Sequence, residues 1–370
     1  MRKYNSLICF ILFFFGILFK KLNFPSFSLI LFIILSFFIL KENFFWILVF
    51  LSGYFYFQNN YKISKDFLII NKNLHNYFSK IIDDNFNKSD SEFLKAIILG
   101  EKGKLSKDLK EKFKRTGTIH FFAISGLHMG IVFFFFFILF RILRINYKFA
   151  NLLASLSILI YTTILPLRPS ILRANIMILT FSLMEFFERK SLPLNTLGFA
   201  GFLSLLINPS WAFDHGFLLS YLATGGILFL YPPLFNSLKT KYEFLNKYII
   251  SPLIVSFSAQ IFVFPYILYF FKYFSSISII SNLILTPLLT LTITSSFLFL
   301  IFYKFPILNE GFKGFAILSK DLLFFFNKFL SDLKFSCFYF KNVSPFIFLF
   351  YLPILIFGLF MNLKSRRYNY

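Results

Sequence analysis

The chain has 370 residues, 58% of them hydrophobic and 63 of them phenylalanine, with a mean hydropathy of +0.73. A soluble fold of this length cannot hide so much apolar surface, and repeated apolar runs of bilayer length indicate a polytopic helical membrane protein. The runs are continuous rather than alternating, which excludes a transmembrane β-barrel. The net charge of +22 fits nucleic acid or anionic lipid, or simple compositional drift, because Phe, Lys, Ile and Asn are over-used throughout.

Arg2 and Lys3 precede the apolar run 7–19 in the manner of a signal peptide. No small-x-small cleavage site precedes Lys20-Lys21, so an uncleaved first span is expected at 5–19. Further spans are expected at about 24–40, 43–57, 119–140, 149–167, 170–187, 194–208, 216–231, 248–271, 277–303 and 345–362. The expected fold class is all-α: a polytopic membrane helical bundle of about 11–12 spans with kinked helices and one amphipathic helical extracytoplasmic segment. It divides into N-terminal spans (1–57), the extracytoplasmic segment (58–118), a membrane core (119–303) and a C-terminal part (304–370). With the N-terminus inside, the basic loops around Arg141, Arg144 and Lys148, Arg189 and Lys190, and Lys239, Lys241 and Lys247 fall on the cytoplasmic side. Lys20, Lys21 and Arg168 fall on the other side, against the rule.

Within 58–118, Ser89 and Glu92 have capping-box spacing, and Leu94, Ile97 and Ile98 line one helical face before Gly100. A second helix is expected after Ser106, ending at Gly117, with Lys107, Lys110, Lys112, Lys114 and Arg115 opposite Leu109 and Phe113. So polar a segment builds no large core alone and is expected to pack on the bundle. In 311–334, Lys313, Lys320, Asp321, Lys328, Asp332 and Lys334 interrupt the phenylalanines, which suits an interfacial amphipathic helix or a span packed inside the bundle. Cys9 and Cys337, the only cysteines, allow neither a disulfide framework nor a thiolate zinc site.

Ionisable groups inside apolar segments mark sites or pathways. His120, Ser125, Gly126 and His128 share one such segment, with Gly126 and Gly130 at the Gly-x-x-x-Gly spacing of close helix approach. On a continuous helix His120 and His128 stand about 12 Å apart and cannot share an ion. Ser125 and His128 share a face, either hydrogen-bonding across the bundle or lining a channel. Pro166 and Pro169 leave Arg168 on extended backbone, and Arg173 falls one to two turns into the next span at a cost of about 2.5–3.5 kcal/mol. Arg173 either snorkels to the headgroups or, beside Asn175, faces inward as a phosphate fork. Asp214 stands where an N-cap belongs, with His215 and Ser220 close by. No cofactor and no metal site are expected.

Residues 96–132, with Thr116-Gly117, His120 and Ser125-Gly126-Leu127-His128, resemble the competence membrane domain of the ComEC family. Arg168-Pro-Ser-Ile-Leu-Arg173 and Asp214-His-Gly-Phe-Leu-Leu-Ser-Tyr-Leu-Ala223 are similar to its later motifs, in the same order. The resemblance implies a multi-pass cell (inner) membrane channel that passes single-stranded DNA into the cytoplasm during transformation. It places His120, Ser125, His128, Arg168, Arg173, Asp214 and Ser220 around the path. It implies a cytoplasmic DNA motor or strand-binding protein as partner, since no Gly-x-x-x-x-Gly-Lys-Ser/Thr loop is present. Two expectations depart from the family: the OB-type and metallo-β-lactamase-like domains of full-length members are lacking, and Leu218 stands where the family has Gln. A separate receptor or nuclease is then implied, and the chain itself is expected not to be an enzyme. The alternatives are an intramembrane hydrolase using Ser125 or Ser220 with His128 or His215, a transporter of another anionic polymer or lipid-linked substrate, or an inactive remnant.

Overall fold

The computed structural model describes residues 5–21, 49, 51–53, 69–101 and 105–353. The expected spans 24–40 and most of 43–57, with the far end of 345–362, lie outside the described residues. The described chain is predominantly helical, running α1 Asn5–Lys21, α2 Lys72–Asn85, α3 Lys88–Ile98, α4 Lys107–Arg115, a 3-10 turn Ile119–Phe122 and α5 Gly126–Ile142. There follow α6 Tyr147–Thr162, α7 Pro169–Phe186, α8 Pro193–Ile207, a 3-10 turn Pro209–Phe213 and α9 His215–Leu238. After α10 (Glu243–Phe271, with a π-type turn at Asn246–Ile250) come β1 Tyr273–Ser275, α11 Ser278–Ile301, α12 Pro306–Ser331, β2 Cys337–Tyr339 and a 3-10 turn Pro345–Phe350.

Among the described residues α9, α10 and α11 are long and apolar enough to cross a membrane. Pro232 and Pro233 lie inside α9, Pro265 inside α10 and Pro287 inside α11, each removing a backbone donor. Proline instead opens α7, α8 and α12, where its missing N–H costs nothing.

The chain forms two compact units, residues 1–68 with 136–221 and residues 69–135 with 222–370. In the first, α1 packs on α8, α8 on α7 and α7 on α6. Gly198 lies against the Leu7 backbone, and a Cβ on Gly201 would stand 2.5 Å from the Phe10 ring, so these glycines set the α1–α8 approach. Asn175 donates to Thr162 at 2.6 Å and Ser182 to Asn151 at 2.8 Å, tying α7 to α6 with polar bonds inside an apolar layer.

In the second unit α11 and α12 form an antiparallel pair, with α10 and α3 on α11 and α4 on α12. The pair is inside out. Ser278, Ser281, Thr292, Ser295 and Ser296 of α11, and Asn309, Ser319, Lys320, Asn327 and Ser331 of α12, are buried. Phe315, Leu318, Leu322, Phe325 and Phe329 of α12 are exposed. An interfacial helix turns its polar face to water, whereas the polar side chains of α12 face protein. Aromatic edges join the 69–118 segment to the pair, Phe86 to Phe299 at 4.9 Å and Phe93 to Phe324 at 4.8 Å, as the polarity of that segment requires.

Three local expectations change. α3 begins one residue after Asn87, whose side chain accepts from Asp90 N at 2.9 Å, so Asn87 and not Ser89 is the cap. The 119–140 helix starts only at Gly126, and His120 therefore lies on the preceding 3-10 turn, off the helix that carries His128. Among the described residues a Cβ on Gly130 would meet nothing within 4 Å, so the close approach expected of Gly126 and Gly130 is not made at Gly130. It is made by Gly198, Gly201 and Gly226, the last with Ser258 O only 2.6 Å from an added Cβ.

Candidate functional site

The candidate residues fall into two groups, one in each unit. In the first unit Arg168 caps α7 in extended conformation (φ −116°, ψ 150°), held there by Pro169 at the first helical position. Burial pulls the Arg168 pKa below its ordinary value, and the charge of Asp214 opposes that, so the two are electrostatic neighbours. Asp214 is the N-cap of α9, accepting from Phe217 N at 2.8 Å, and its charge suits the positive end of that helix. Arg173 is only 7% exposed, one turn inside α7. Its guanidinium donates to the Met177 thioether at 3.6 Å and lies 5.9 Å from the Tyr221 ring centroid. The structure thus places the arginine inward, against an aromatic face rather than out along the helix. Tyr221 in turn packs against Phe217 (4.3 Å) and Phe10 (5.2 Å) with tilted rings. Ser220, adjacent to Tyr221, is half-buried and His215 is exposed.

In the second unit Ser125 precedes α5, its carbonyl accepting from Met129 N at 3.1 Å. Its hydroxyl lies 3.5 Å from His128 Nδ1, and His128 is 1% exposed. Gly126 opens the helix between them. His120 is exposed and its Nδ1 lies 3.1 Å from Gly117 O. Gly117, at φ 74°, needs the left-handed conformation that glycine adopts freely, and an added Cβ there would also press on Ser275 at 3.1 Å. The structure therefore joins Ser125 with His128, leaves His120 on its own turn, and joins Arg173 with the Tyr221 end of the Asp214 motif. Among the described residues no group of three or more His, Cys, Asp or Glu could hold a metal ion.

Several buried polar groups beside these residues were not legible from motifs. Lys320 of α12 reaches across to Asp90 of α3, both nearly inaccessible, and also pairs with Asp321 at 2.7 Å. Lys95, 2% exposed, holds both Asp83 oxygens at 2.6 Å, and the Ser91 hydroxyl joins them. Thr116, just before the His120 turn, donates to Asn327 at 2.8 Å and meets Thr118 at 2.7 Å. Gln260 receives the Ser278 hydroxyl at 2.5 Å and donates to Ser275 O at 3.2 Å, while Ser275 Oγ donates to Arg115 O at 2.8 Å. For Lys320 the sequence signal was charge among the phenylalanines of 311–334.

The competence protein family model matches residues 97–365. The chain belongs to the competence protein family. It is 30% identical over 234 residues to ComE operon protein 3 of Bacillus subtilis, covering 62% of this chain and 27% of that protein. It is 34% identical over 147 residues to an uncharacterized protein of Aquifex aeolicus, covering 38% of this chain and 34% of that one. The chain thus spans about a third or less of the curated relatives it matches. No solved structure matches it. All eight site candidates of this competence-family chain lie within the matched region.

Proposed function

We propose that this competence-family protein is a multi-pass protein of the cell (inner) membrane that passes single-stranded DNA into the cytoplasm, and that it acts as a conduit rather than an enzyme. The observation that carries the reading is Arg173: a guanidinium buried one turn into an apolar helix, beside the ring of Tyr221, in a motif that also presents Arg168, whose electrostatic neighbour is Asp214. An ionisable group at that depth costs several kcal/mol and is kept where it serves a pathway. A guanidinium offers a phosphate a planar fork, and a neighbouring aromatic ring offers a base a sequence-tolerant surface. A passive conduit sets no direction, so a cytoplasmic motor or strand-binding protein pulls the strand. The test is uptake of labelled DNA by cells expressing the wild type, Arg173→Ala or Arg173→Lys at equal protein levels. Protease-resistant internal strands that disappear with alanine support the reading. Undiminished uptake by Arg173→Ala contradicts it.

One observation favours a second reading. Ser125 Oγ and His128 Nδ1 lie 3.5 Å apart, the pairing an intramembrane Ser/His hydrolase would use. That reading requires Ser125→Ala to abolish function in a folded protein, whereas a conduit tolerates the change better than the loss of Arg173.

A further inference from the structure

The two short strands build a surface that no motif announces. β1 and β2 pair antiparallel with Tyr273 opposite Tyr339 and Phe274 opposite Phe338. Alternation along a strand places the two tyrosines on one face of this ribbon and the two phenylalanines on the other. The phenylalanine face turns to the apolar helices: Phe274 meets Phe264 of α10 edge-on at 5.1 Å, and Phe264 meets Phe350 at 5.6 Å. The tyrosine face meets α4, whose nine residues carry five basic side chains against Asp108 and Glu111. Lys114 Nζ stands 4.8 Å from the Tyr273 centroid and 4.7 Å from the Tyr339 centroid, so a single charge is held over two rings.

Tyr339 remains 54% exposed, and its hydroxyl donates to Glu111, which fixes the ring. Burial pushes the Tyr273 phenol up to about 12 and raises Tyr339 as well, moving both further from ionisation. At the far end of the ribbon Phe340 N donates to Lys272 O at 2.9 Å, bringing the exposed residues Lys272 and Lys341 to the same edge. The whole assembly lies within one compact unit.

The geometry points to a binding surface for single-stranded nucleic acid on α4 and the tyrosine face of the ribbon, bases stacking on Tyr339 and phosphates meeting Lys114 and its neighbours. The choice of ligand rests on the conduit reading. An anionic lipid headgroup shares the phosphate chemistry but has no flat base to stack on a half-exposed tyrosine, and the phenylalanine face already serves the apolar side.

The test is binding of fluorescent dT20 to the full chain in phosphatidylcholine nanodiscs, measured by anisotropy across a salt series. Tyr339→Ala is expected to weaken binding about 5- to 150-fold, the range for loss of one base stack, and Tyr339→Phe to keep it within about threefold. Lys114→Gln is expected to lower the salt slope by about 0.7, the value for one phosphate contact of a single strand. Uptake by Arg173→Ala is measured separately, as the assay of the conduit. Equal binding by wild type and Tyr339→Ala, or no binding by wild type, overturns the surface while leaving the conduit reading to its own assay. Retained dT20 binding with loss of co-purified anionic lipid from Lys114→Gln assigns the surface to headgroups and also overturns it. Tyr339-dependent dT20 binding in a protein that supports no uptake leaves the surface standing and removes the conduit.

Discussion

The Lys320–Asp90 pair holds the 69–118 segment on the membrane helices, and its two ends are predicted to differ in importance. The side chains are 7% and 6% exposed. Removing one partner of a buried pair leaves the other as an uncompensated charge, at about 3–5 kcal/mol. Lys320→Ala does this to Asp90, which sits in the first turn of α3 inside the protein. Asp90→Ala does not do it to Lys320, because Asp321, with its side chain 59% exposed, remains at 2.7 Å. The expected costs are therefore about 3–5 kcal/mol for Lys320→Ala and about 1–2 kcal/mol for Asp90→Ala. The double variant Lys320→Met with Asp90→Leu, which buries no charge, is expected near the wild type. At roughly 2–4 °C per kcal/mol for a unit of this size, Lys320→Ala lowers the melting midpoint by roughly 10 °C. Thermal unfolding of the purified protein in detergent, with limited proteolysis of the 69–118 segment as a second readout, measures both. Equal midpoints for the two single variants, or a double variant as unstable as Lys320→Ala, would refute the reasoning.

Gly226→Ala is expected to cost about 1–3 kcal/mol, because the added Cβ would meet Ser258 O at 2.6 Å and the Phe262 ring at 2.7 Å, whereas Gly130→Ala, with nothing described within 4 Å, gains roughly 0.5–1 kcal/mol from helix propensity. The pair of melting midpoints checks both signs. Asp214→Ala removes the cap bond to Phe217 N and is expected to cost about 1 kcal/mol, with Asp214→Asn retaining most of it; a loss of uptake in both variants at equal protein level would show that the charge itself matters. Ser125→Ala is expected to leave uptake within about twofold of wild type, measured alongside Arg173→Ala.

The sequence made local features readable and long-range ones not. Asp214 at the head of a long apolar run, Ser106 before a charged helix and Arg168 between two prolines are each read from adjacent residues, and each stands where expected. Within one short stretch the local rules competed, and Asn87 took the cap that Ser89 and Glu92 advertised. The reach of α12 was hidden because the same periodic pattern fits a polar face turned to water or to a buried partner. Asp90, which settles that choice, lies 230 residues away. The ribbon was hidden for a simpler reason: Tyr273–Ser275 and Cys337–Tyr339 are three residues each, too short for an alternating pattern to register. The pairing of Arg173 with Tyr221 likewise joins two motifs whose order was plain but whose proximity was not.

The most direct test of the account uses proteoliposomes that hold the purified protein in the membrane and a single-strand-binding protein inside. Labelled single-stranded DNA is supplied outside and the nuclease-protected fraction is measured. The account predicts protection by the wild type that falls to the protein-free level with Arg173→Ala and is partly kept with Arg173→Lys. Protection equal in wild type and Arg173→Ala, or none in wild type while the protein is folded and inserted, would contradict it.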